Sequence, residues 1–171
     1  MTPSILVAGV GNIFLGDDAF GVEVVRALAA RRLPESVTAV DYGIRGFDLA
    51  YALLDPWDAV VIVDALSRGG GAPGTLYTIE PDLDGLRDAP PAETMINPHG
   101  MDPMRVLQLA FSMGAVRARV VVVGCEPKDF GDELEGRMGL SDIAQSSIEG
   151  AVEMVENVVR QVLAASGMCP V

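Results

Sequence analysis

Four acidic side chains and one imidazole carry the chemistry this sequence could do. Asp17 and Asp18 stand side by side after the turn Gly9-Val10-Gly11, and Asp41 and Asp64 each follow an apolar run. His99, the single histidine of the chain, lies in the stretch INPHGMDP. Two carboxylates and an imidazole make an O,O,N donor set. A borderline divalent ion such as zinc or nickel accepts such ligands and keeps positions open for water or substrate. Taken singly, each residue also has a structural use. Asp is a good helix cap, Asp64 can close an Asx turn, and a lone loop histidine can serve structure alone. The adjacent pair is harder to dismiss. One cap needs one carboxylate, and the second repels the first unless a cation or a donor offsets it. One member of the pair is therefore read as a cap and the other as a coordinating group, with Asp17 open to either capping or general-base work.

The glycine turn resembles half of a dinucleotide fingerprint, which needs G-x-G-x-x-G and an acid about 20 residues further on. Phe14 fills the third glycine position, and Asp41 lies well past the expected spacing. A pyrophosphate gains from free N–H groups at a helix N-terminus. Asp17 and Asp18 would take up those donors and repel it. Other catalytic classes lack their parts. The chain has no HExxH, and neither Ser67 nor Cys125 has a recognisable paired base. With a net charge of −12 and a pI near 4.3, the chain shows no basic stripe to track nucleic acid. No apolar run reaches the roughly 20 residues that cross a bilayer. The opening residues lack a basic segment and are needed for a core strand, so no secretory leader is expected. The two cysteines, Cys125 and Cys169, are far apart and suit a reducing cytoplasm.

The elements that must hold these groups follow from pattern. Residues 4–10, 36–42 and 58–64 read as buried strands, and 117–126 as the last core strand. Residues 75–80 alternate as an edge strand does. Helices are expected over 18–32, 46–54, 102–113 and 141–165, with Asp102-Pro103 and Ser141 as start signals. Residues 81–101 hold four prolines and read as a long loop. Strands alternating with helices imply an α/β three-layer domain with a mostly parallel sheet. One domain is expected over 1–165, with 166–171 as a flexible tail. In an open sheet of this kind ligands bind beyond the carboxyl ends of the strands. Parallel strands would project Asp18, Asp41 and Asp64 from one edge, within reach of His99.

The stretch GVGNIFLGDDAFGVEVV resembles the N-terminal signature of the [NiFe]-hydrogenase maturation proteases, GxGNxLxxD(D/E)xxG. VIVDALS is similar to their third-strand Asp, NPHGMDPMRVLQLA to their histidine loop and helix, and VVVVGCEPKDFGDELEG to their last strand and its turn. The resemblance implies a five-stranded twisted sheet with helices on both faces. It also implies a cytoplasmic endopeptidase that removes a C-terminal extension from the precursor of a hydrogenase large subunit once nickel is loaded. Carried over position by position, the metal-contacting and catalytic set falls on Asp18, Asp64 and His99, and substrate recognition on Asp41. DYGIRGFDL departs from the family's DGGTxGxxL, with Tyr42 for a glycine and Arg45 near the threonine. That departure bears on which large subunit is recognised. Nickel is either catalytic or a tag carried by the substrate. A binding or chaperone module that clamps a nickel-loaded partner without cutting it is the alternative from another class.

Overall fold

A run of six buried residues, Ile5–Val10, forms the first strand, β1, at the centre of the sheet. The computed structural model describes residues 2–89, 102–132 and 134–167. It adds β2 (Val37–Gly43), β3 (Ala59–Ala65), β4 (Leu76–Ile79) and β5 (Arg119–Cys125) in the order β2-β1-β3-β5-β4. All neighbours pair in parallel except β4, which runs antiparallel to β5 at the edge. Strands buried on both faces read as near-continuous apolar runs, and β1, β3 and β5 do so because both faces are covered. Ile5, Val7, Val61, Val63, Val121 and Val123 pack against α1 (Phe20–Ala29) and α5 (Asp142–Ala165). Leu6, Ala8, Val60, Ile62, Val120 and Val122 pack against α2 (Gly46–Ala52) and α4 (Pro103–Met113). The result is the three-layer α/β domain expected from the pattern. Among the described residues no helix is long and apolar enough to cross a membrane.

Three details differ from expectation. Residues 16–19 form a 3-10 turn, and α1 itself starts at Phe20 and stops at Ala29. Arg31 therefore lies beyond the helix and pairs with Glu149 and, at 3.1 Å, Glu156 on α5. The expected long loop contains a short helix, α3 (Leu83–Asp88). Asp82 caps it by accepting from the Gly85 N–H, and Leu83 and Leu86, one turn apart, pack on the α2/α4 side of the core. Residues 90–101 lie outside the described structure. Asp41 does not end its strand, because β2 continues to Gly43.

Two glycines seat α1 against the sheet. A methyl group on Gly21 would lie 2.0 Å from the Val63 carbonyl oxygen and 2.4 Å from that of Val10. One on Gly9 would lie 2.5 Å from the Gly21 carbonyl oxygen. The close helix–strand approach that a dinucleotide fold assigns to its third glycine is thus made here by Gly21. Gly21→Ala is expected to cost about 3 kcal/mol, near the upper end for overpacking, because both obstacles are backbone. Denaturant unfolding of the variant measures this.

Candidate active site

β1 delivers the chain to a turn whose shape depends on Gly11. Its φ of +143° favours glycine, and a Cβ there would sit 1.8 Å from the Asp18 carbonyl oxygen. The turn folds back so that the Asn12 N–H donates to Asp18 Oδ2 at 2.9 Å. Asp64 is the penultimate residue of β3, only 3% exposed, and its Oδ1 accepts from the Ala65 N–H at 2.8 Å. Each carboxylate has thus committed one oxygen to a backbone donor. Among the described residues neither second oxygen has a hydrogen-bond partner.

The two groups are within electrostatic reach of each other. Burial pushes the Asp64 carboxyl well above the usual carboxylate range, and the charges of Asp18 and Asp102 push it further, against the Ala65 N–H. Burial also raises Asp18, opposed by the Asn12 N–H. A buried acid whose ionisation a neighbouring acid disfavours is relieved by a cation or by keeping its proton. Asp102 caps the start of α4 through the Met104 N–H, so the chain re-enters the described structure within electrostatic reach of Asp64. His99 falls three residues earlier, outside the described residues. Among the described residues no cluster of three His, Cys, Asp or Glu groups is placed to hold a metal. The Asp18–Asp64 pair supplies two donors, each already fixed by an outer-shell N–H, as ligating carboxylates usually are.

Asp41 is not brought to this pair. It stands in register with Gly9, whose side faces α1, whereas Asp64 shares its face with Val60 and Ile62, toward α2 and α4. Side chains alternate across a strand, so parallel strands alone do not gather every acid on one face. Asp41 Oδ2 lies 3.4 Å from Arg26 on α1 and remains partly exposed. Arg45 donates to the Asp41 carbonyl and sits 5.8 Å over the Tyr42 ring.

Asp17 is a clamp and is not a free base. Only 1% exposed, it accepts from the Ser141 N–H (2.7 Å), the Ser141 hydroxyl (2.8 Å), the Lys128 N–H (2.8 Å) and the Asp129 N–H (3.3 Å). Burial raises its pKa, but these bonds outweigh burial and hold the carboxyl below its ordinary value. No side chain caps α1, so Asp17 does not cap its own helix. It ties the β1 turn to Ser141, the N-cap of α5.

Sequence pattern does not single out Glu126 or Tyr77. Glu126, 5% exposed just after β5, accepts from the Ser67 hydroxyl at 2.8 Å and the Arg68 N–H at 2.9 Å. It thereby pins the chain leaving Asp64, and the Ser67 hydroxyl is committed. Burial, followed by the charges of Asp17 and Glu126, raises the Cys125 thiol to about 11, so it is protonated and inert at neutral pH. The available signal for Glu126 was a buried acid at the carboxyl end of a core strand, as at Asp64.

A profile of the hydrogenase maturation protease family matches residues 22–158. The hydrogenase 2 maturation protease of Escherichia coli K12 is 33% identical over 159 residues, spanning 92% of this chain and 91% of its own. Among solved structures, the hydrogenase maturating endopeptidase HybD from E. coli superposes with a TM-score of 0.71 at 28% identity, over 92% of this chain and 93% of that one. The hydrogenase 2 maturation peptidase from Thaumarchaeota archaeon SCGC_AB-539-E09 gives 0.68 at 30%, over 91% and 97%. With the turn at Gly11, the Asp18–Asp64 pair and the five-stranded order all in hand, this chain belongs to the hydrogenase maturation proteases.

Proposed function

We propose that this endopeptidase removes a C-terminal extension from the large-subunit precursor of a [NiFe] hydrogenase in the cytoplasm, in a nickel-dependent manner. Asp18, Asp64 and His99 act together on the nickel. The observation that carries this reading is the Asp64 carboxyl, buried at the end of β3 with one oxygen held by the Ala65 N–H, where burial and the charge of Asp18 disfavour its anion. A divalent cation offsets both effects. His99 stands three residues before Asp102, a distance the chain spans in at most about 11 Å. The O,O,N set suits nickel, and zinc is its nearest competitor. When bound, such an ion polarises a scissile carbonyl and lowers the pKa of water.

The chain's own residues have separate tasks. The Asn12 and Ala65 N–H groups aim the two carboxylates. Asp17 holds the β1 turn against α5, and Glu126 holds the exit from β3. Asp41, on the α1 side of the rim, is assigned to substrate discrimination, with the Tyr42–Arg45 pair beside it. Asp41→Ala is accordingly expected to change which large subunit is cut, at unchanged fold. Competition between precursors of two hydrogenases reads this out.

The test is incubation with large-subunit precursor prepared with and without nickel. Loss of the extension's mass only from the nickel-loaded precursor is expected. A stable complex in which the nickel-loaded precursor stays intact would replace the protease reading with a clamp.

A further inference from the structure

Asp64 shares register with Gly124 of β5, and Gly124 shares register with Tyr77 of β4. All three positions lie on the same face of the sheet. A Cβ on Gly124 would come within 2.5 Å of the Tyr77 ring, so the ring lies across bare backbone beside Asp64. The Tyr77 hydroxyl donates to the Leu66 carbonyl. Above the ring, 5.0 Å from its centroid, sits the Arg68 guanidinium. A cation over an aromatic face is held there by the ring's quadrupole. The Glu126 oxygens accept from the Ser67 hydroxyl and the Arg68 backbone N–H. Among the described residues the Arg68 side chain makes no ion pair and no hydrogen bond. An exposed guanidinium fork therefore stands over Tyr77 at the β4–β5 rim, its charge felt by Glu126 but its donors unspent among the described residues, on a rim that also carries Asp18 and Asp64.

Peptide hydrolysis creates a need for such a group. Water adds across the scissile bond, its hydroxyl to the acyl carbon and its proton to the departing nitrogen. The acyl half then ends in a new α-carboxylate, ionised at neutral pH. That anion forms on a rim rich in acidic side chains, where a cationic side chain is its natural partner. We propose that Arg68, seated on Tyr77, is a substrate-positioning residue that binds the acyl side of the cut and, after cleavage, the new C-terminal carboxylate. The inference rests on the endopeptidase reading. The planar fork of Arg matches a carboxylate with two parallel hydrogen bonds, which a lysine cannot reproduce.

The probe is a peptide matching the C-terminus that cleavage leaves on the large subunit, made as the free acid and as the C-terminal amide. Binding is measured by titration calorimetry without added metal. Wild-type protein should bind the acid about tenfold more tightly than the amide. Arg68→Ala should remove that preference, Arg68→Lys should retain part of it, and Tyr77→Leu should weaken it, all with melting temperatures close to wild type for the two Arg68 variants. An acid preference that survives in Arg68→Ala, or is missing from wild type, overturns the proposal. If wild type cleaves precursor yet shows no preference, the subsite fails and the reaction stands. If precursor stays intact while Arg68→Ala abolishes an existing preference, the subsite stands and the reaction fails.

Discussion

Asp64→Asn is expected to lower precursor cleavage at least about a hundredfold while the protein remains folded. Asparagine keeps the volume of the buried side chain and an oxygen for the Ala65 N–H. It loses the negative charge that a cation beside Asp18 would use. Partners one shell further out usually cost 10- to 100-fold at metal sites, so a group acting on the ion itself should cost at least the top of that range. The same variant should be more stable than wild type above acidic pH. The folded-state pKa of Asp64 is raised above its ordinary 3.8, first by burial and then by Asp18. Its contribution to stability is thus fully present below the unfolded value and is lost as pH rises through the folded one. The asparagine variant has no such loss. Melting curves from acid to neutral pH should show the two proteins converging at low pH and the variant pulling ahead as pH rises. A variant less stable than wild type at neutral pH would mean that a cation already compensates the charge.

The second large effect is on stability. Asp17→Ala should cost about 4 kcal/mol, because it strands two buried donors, the Ser141 N–H and hydroxyl, that cost about 1–3 kcal/mol each when unpaired, and the part-buried Lys128 N–H besides. For a chain of this length that corresponds to a fall in melting temperature on the order of 10 °C. Here the pH sign is opposite to that of Asp64. The Asp17 pKa is depressed, so its stabilisation is present above the unfolded value of 3.8 and disappears as pH falls through the folded one. The gap between wild type and variant should therefore narrow in acid. A gap that stays constant down to low pH would remove the charged clamp from the explanation.

Much of this arrangement is readable from local pattern. The runs ILVAGV, AVVIVDA and RVVVVGC announce strands covered on both faces, and Asp102-Pro103 and Ser141 mark helix starts that the structure uses as caps. What escapes local reading depends on distant partners or on side-chain phase. Asp17 looks like a cap for the helix it precedes. Its donors come from residues 111 to 124 positions away, which no window along the chain reveals. Asp41 and Asp64 look alike as acids after apolar runs, yet strand alternation sends them to opposite faces. The helix Leu83–Asp88 is masked in a proline-rich stretch because it is short and held by one cap and two leucines. Gly21 reads as an ordinary helical glycine until Val63 and Val10 are seen against it. Tyr77 and Glu126 gain meaning only from the pairing of β4 and β5 beside Asp64.

That Asp18, Asp64 and His99 work as one centre is tested most directly by mass spectrometry of nickel-loaded precursor after incubation with wild type or with His99→Ala, both verified as folded. The predicted result is a shortened large subunit with wild type and an intact precursor with the variant. Shortening by His99→Ala at the wild-type rate would contradict it.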